Sequence, residues 1–135
     1  MWMKITLAIA GMTLCATAPL SAHHAFAAEF DAAKPVAFKG KVIKMDWVNP
    51  HVWIHVAVTA PNGSVESWAV EGGAPANLFR RGFTKASLLP GTEIAVDGYR
   101  AKDGSKRANG REITFADGRK LFVGSSGTGA PYDKK

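Results

Sequence analysis

From Pro50 onward the chain alternates with a period of two. Val52, Ile54, Val56 and Val58 fall on one side; His51, Trp53, His55 and Ala57 fall on the other. This is the pattern of a half-buried strand whose valine and isoleucine side faces a core. It predicts a strand from His51 to about Ala60, entered through Val48-Asn49-Pro50 and closed by the hairpin signal Pro61-Asn62-Gly63-Ser64. A preceding strand runs from Phe38 to Trp47, with Gly40 marking a bulge or tight bend. A following strand, Val65 to Glu71, carries Trp68.

The period then changes. Gly72-Gly73 breaks the strand, Pro75 suits a first helical turn, and Leu78, Phe79 and Phe83 form one short apolar stripe. Gly82 fits a helix C-cap. Pro90-Gly91 turns the chain into a fourth strand, Thr92 to Tyr99, followed by a polar loop from Lys102 to Asn109. A fifth strand, Arg111 to Phe115, turns at Asp117-Gly118 and pairs with Lys120 to Val123. Three strands, one short helix and two further strands are the order of an OB-type barrel. The expected fold is therefore all-β with one short helix, a small barrel of five to six strands.

The two ends behave differently. In the entry segment, His23 to Ala37, Phe26 and Phe30 are four residues apart, so a short helix places both on the core before Pro35 stops it. Gly124 to Lys135 is rich in Gly and Ser without apolar periodicity, and is expected to be disordered. Met1 to Ala22 has the plan of a secretory signal: Lys4, an apolar run from Ile5 to Ala18, and small residues Ser21 and Ala22. The run is too short to cross a bilayer, which takes about 20 residues. Cleavage is expected after Ala22. A rival site after Ala27, with the small-x-small pattern Ala25-Phe26-Ala27, would discard His23 and His24 and needs an unusually late cut. The expected organisation is a signal peptide over 1–22, a barrel over 23–123 and a tail over 124–135. The mature protein would be periplasmic or secreted and carry no transmembrane segment.

Processing changes the composition in one important respect. Cys15 lies in the signal, so the mature chain has no cysteine, which removes disulfides, thiolate metal sites and cysteine nucleophiles together. Loss of Lys4 leaves 16 basic and 11 acidic residues, a net charge of +5. A balance of this size fits an envelope protein that meets anionic surfaces, and equally one that is merely soluble.

Candidate chemistry gathers on the second strand. Trp47, Trp53 and Trp68, with Asn49 at the turn, fall on the face by which OB barrels usually hold ligands. Stacking platforms beside a basic groove bind single-stranded nucleic acid, but an export signal argues against that partner, and Lys39, Lys41 and Lys44 do not line one face. The indoles can equally fill the barrel. Among the histidines, His51 and His55 are four residues apart, about 13 Å along a strand. Imidazole binds zinc at about 2 Å, so the two cannot share an ion on a regular strand. A second contributor has to come from His23 or His24. If the cut falls after Ala22, His23 supplies both a free amine and an imidazole, an all-nitrogen set suited to Cu(II) that resembles the histidine brace of copper enzymes and carriers. Asp31, Glu29, Asp46 and Glu71 are candidate oxygen ligands with nothing to select among them, and Met45 reads as core. Solvated or purely structural histidines are the plain alternative.

No catalytic constellation is recognised: Ser64, Ser67 and Ser87 sit in no nucleophile motif, and Gly72-Gly73 is no phosphate loop. Arg80-Arg81 reads as a solvated helix face.

The strings AHHAFAAEFD, WVNPHVWI, WAVEGGAP, LFRRGF, LLPGTEIAVDGYRAKDG and DGRKLFVG together resemble a family of uncharacterised secreted bacterial proteins. The resemblance covers essentially the whole mature chain and implies export and a small β-barrel, but no activity. A more distant similarity, of fold and compartment, is to the periplasmic OB-fold haem chaperone of cytochrome c maturation. That family binds haem through a histidine late in its chain, and here no histidine follows His55. The expectation is a non-enzymatic exported binding protein for copper or a similar divalent ion, through His23, His24, His51 and His55. The alternative is an interaction module whose aromatic and basic face docks an envelope protein or an anionic polymer without metal.

Overall fold

The computed structural model describes residues 25–133. The predicted signal, its cleavage site after Ala22, and His23 and His24 lie outside the described residues. Helix α1 (Ala25–Glu29) leads directly into β1 (Phe30–Asp46), a strand of 17 residues that begins well before the expected Phe38. Then follow β2 (Trp53–Thr59), β3 (Val65–Glu71), helix α2 (Pro75–Arg80), β4 (Glu93–Ala101), β5 (Arg107–Phe115) and β6 (Lys120–Phe122). A single 3-10 turn, Pro131–Asp133, closes the described chain.

The first half of β1 pairs with β4, from Phe30 to Lys41, and the second half pairs with β2, from Lys41 to Asp46. Pro35 was expected to stop a helix. It sits instead inside β1, on the stretch paired with β4 alone, where its missing N–H is tolerated as at a sheet edge. The sheet order is β3-β2-β1-β4-β5-β6, and a further parallel pairing of β3 with β5 joins Ala69–Glu71 to Arg107–Asn109. That pairing turns the sheet into a ring of five strands, with β6 added outside β5. The all-β class and the helix between the third and fourth strands match expectation. The polar loop after Ala101 is shorter than expected, because Arg107–Asn109 is drawn into β5 by partners almost forty residues away.

Inside the ring lie Val52, Ile54, Val56, Val70, Val96 and Ile113, with Leu78 from α2 and Phe83 just beyond it. Complete burial of each aliphatic side chain contributes about 1.5–3 kcal/mol. Phe79, expected on the same stripe as Leu78, is 66% exposed. Adjacent helix positions diverge by about 100°, and in a six-residue helix Leu78 takes the inward direction. At Gly40 two strands approach closely: a Cβ there would run into the Ala57 carbonyl and lie 2.7 Å from the Val56 side chain. The expected bend residue is a close-approach residue, while the true bulge lies three positions later, between Val42 and Lys44.

The segment from 124 to 133 is ordered, contrary to the disorder expected from its composition. Ser125, Thr128 and Ala130 are buried, the Arg81 guanidinium donates to the Gly124 carbonyl at 2.8 Å, and the Tyr132 hydroxyl donates to Asn109 Oδ1 at 2.7 Å. A few anchors and hydrogen bonds hold it, so it carries no apolar period for a sequence reading to detect.

Candidate functional site

The bulge at Ile43 sets the chemistry of the outer face. On one side of it Lys41 stands opposite Ala57 and Val42 opposite Val56; on the other, Lys44 faces His55, Met45 faces Ile54 and Asp46 faces Trp53. One extra residue restores the alternation, so Lys39, Lys41, Lys44 and Asp46 all point outward while Val42 and Met45 pack on the core. By simple alternation Lys44 belongs to the inner face. The bulge overturns that, and the three lysines do share one face.

Along β2 and the two residues that lead into it, the inner positions Val52, Ile54 and Val56 are 0% exposed, and His51, Trp53 and His55 form the half-buried outer row. Strand pairing places Trp53 between Asp46 on β1 and Glu71 on β3. Each histidine beside it turns to a different carboxylate. His55 Nε2 lies 2.9 Å from Asp46 Oδ2, and His51 Nδ1 meets Glu71 Oε1. Asp46 is also held by Lys44 Nζ, 3.2 Å from both carboxylate oxygens. Together the His55 hydrogen bond and Lys44 keep the Asp46 carboxyl below the usual carboxylate range.

Glu71 is in the opposite situation. Only 8% of it is exposed, and burial pushes its carboxyl upward against the pull of His51. The Glu29 carboxylate of α1 adds to the upward push, and Arg107, which lies 3.4 Å from Glu29, opposes it. The entry helix and the His51–Glu71 pair therefore share one electrostatic neighbourhood.

The tryptophans do not make one platform. Trp68 stands opposite Val56 on the inner face, 8% exposed, its ring 4.7 Å from Phe38 and its Nε1 donating to Glu66 at 3.3 Å. Trp47 packs on Phe83 at 5.9 Å between ring centroids. Only Trp53 of the three lies in the histidine row, and Asn49 is exposed in the turn, before a cis bond to Pro50. His51 and His55 stay apart as strand spacing requires. Among the described residues, no group of three or more His, Cys, Asp or Glu is placed to hold a metal ion. Pairing does select Asp46 and Glu71 from the four candidate carboxylates; Lys44 was missed, since the signal that turns it outward is a bulge.

Among the described residues no helix is long and apolar enough to cross a membrane. No curated protein matches the chain. The sequence pattern of one family matches residues 11–110, a span that runs from the predicted signal through the outer-face row to the middle of β5. The chain thus belongs to the family of unknown function DUF6152.

Proposed function

We propose that this is a small exported, non-enzymatic protein that binds copper or a similar divalent ion, with His51 as its strand ligand. The observation that carries this reading is the His51–Glu71 pair. Metal-binding imidazoles commonly have one nitrogen fixed by a carboxylate while the other faces the ion, and His51 is held through Nδ1, which leaves Nε2. The described residues hold no three-ligand group, so the ion needs donors from upstream. His24 directly precedes Ala25 in the sequence, and His23, as a processed N-terminus, would add its amine and imidazole. Two extended residues reach about 7 Å, and α1 already brings Glu29 into the field of Glu71. Such a set, all nitrogen with carboxylates behind it, suits Cu(II). The test is titration of a chain beginning at His23 against one carrying an extra residue before it, with His51→Ala and His55→Ala alongside. Binding of about one Cu(II), weakened by the extension and by His51→Ala, supports the reading; equal affinity in all four removes it.

A second reading rests on the Ile43 bulge. Lys39, Lys41 and Lys44 share the outer face with Trp53, and Lys39, Lys41 and Glu93 line an open groove of about 690 Å³. This favours docking of an envelope partner or an anionic polymer without metal. Such binding survives chelator and weakens with salt, whereas the copper reading predicts the reverse.

A further inference from the structure

Helix α1 is only five residues long, too short to be stable by itself, yet Phe26 is 4% and Phe30 2% exposed. Its cover comes from both ends of the fold. Phe26 packs edge-on against Tyr99 of β4, with ring centroids 5.5 Å apart, and lies 5.8 Å from Phe30. The Phe26 amide donates to the Thr128 carbonyl at 3.2 Å, and Ala130 belongs to the same apolar cluster. Lys102 Nζ donates to the Ala27 carbonyl.

The segment that supplies Thr128 is itself pinned. Asp133 Oδ2 accepts from the Thr128 amide at 2.9 Å, the Gly129 amide at 3.1 Å and the Thr128 hydroxyl at 3.2 Å. Tyr132 stands between Tyr99 and Phe122, at 6.4 and 5.3 Å, and bonds Asn109. At Gly124 the packing leaves no room for a side chain, since a Cβ would lie 2.7 Å from the Tyr132 ring and 2.8 Å from that of Phe122.

We infer that residues 124–133 are a clasp that holds α1 on the barrel, so that the exported chain must keep Phe26 and its upstream residues start from a fixed place. Asp133 and Tyr132 are then positioning residues for the amino-terminal donors, a role that rests on the metal reading above. The clasp itself does not depend on it. A cut after Ala27 would discard Phe26, leaving Phe30, Tyr99 and Ala130 without their central ring.

The processed protein, purified from the exported fraction, is compared with Asp133→Ala and Tyr132→Ala by hydrogen exchange, chymotrypsin digestion, mass and Cu(II) titration. In Asp133→Ala, exchange at Phe26 and cleavage near Phe26 and Phe30 rise about tenfold or more, while the amides of Val56 and Val70 keep their protection. Unchanged protection of α1 overturns the clasp. If Tyr132→Ala exposes the barrel amides as well, Asp133→Ala, whose side chain bonds only the clasp, decides alone. A mature mass beginning at Ala28 also overturns it, and a start before Phe26 supports it. If the wild type binds Cu(II), Asp133→Ala weakens it by about tenfold, the loss typical of an outer-shell support; equal affinity overturns the positioning role. A wild type that binds no Cu(II) defeats the metal reading and with it the positioning role, while exchange still judges the clasp.

Discussion

His55 Nε2 lies 2.9 Å from Asp46 Oδ2, and Asp46 is also held through both carboxylate oxygens by Lys44, two residues back along β1. Three side chains of alternating capacity, ammonium, carboxylate and imidazole, thus run across the junction of β1 and β2. The Asp46 carboxyl is lowered in the folded protein, so its contribution to stability is complete above the unfolded carboxylate range and disappears as pH falls through the folded value. Asp46→Asn is expected to cost about 0.2–1 kcal/mol at pH 7, the range for exposed pairs, and nothing once both forms are neutral. Thermal melts of the two proteins from pH 7 to pH 2 should converge at the acid end.

Glu71 has the opposite sign. Its folded carboxyl is raised by burial, so its contribution is present at low pH and lost as pH rises through the folded value. His51 limits that loss. His51→Ala leaves a buried carboxylate without its partner and should cost about 1–3 kcal/mol at pH 7, shrinking as acid neutralises Glu71. Glu71→Gln should be no less stable than the wild type at pH 7. Urea denaturation of the three proteins at pH 7 and pH 4 checks both.

The bulge makes a geometric prediction. Val42 already faces Val56 and Lys44 already faces His55, so deleting Ile43, which is 45% exposed, leaves every later residue of β1 on its present face. Deleting Met45 instead moves Asp46 to an inward position. The first deletion should keep the amide spectrum of β2 and the His55–Asp46 contact; the second should unfold the protein or shift its denaturation midpoint by several-fold more.

Gly40 offers a packing test. A Cβ there meets the Ala57 carbonyl, a backbone atom that cannot step aside, and lies 2.7 Å from Val56. Gly40→Ala should cost about 1–3 kcal/mol by overpacking, and Gly40→Val more, as read by chemical denaturation.

Tyr132 predicts an alkaline transition confined to the clasp. Burial pushes its phenol up to about 12. The folded value exceeds the ordinary one near 10, so the stabilisation is whole below pH 10 and is lost as pH rises toward 12. Hydrogen-exchange protection of α1 should fall in that window, and Tyr132→Phe, which cannot ionise, should abolish the transition.

Much of the ring of strands was legible from local pattern. The period-two run from Val52 to Val58, the boundaries of β3 and the start of α2 at Pro75 follow from burial, turn chemistry and the fixed φ of proline, all written within a few neighbouring residues. The separation of His51 from His55 follows as directly, because strand rise is a constant of the backbone.

Contacts between distant residues decided the rest. The closing of the ring at Glu71 and Asn109, the choice of Asp46 and Glu71 as histidine partners, and the ordering of the tail on Phe26 each join residues 9 to 102 positions apart. A bulge costs one residue and inverts a face, so Lys44 could be placed only once its partner strand was in view. Sequence alone determined which stretches alternate, because alternation is a local property of the chain. Which of their side chains meet is settled by register and closure, which exist only after the strands have come together.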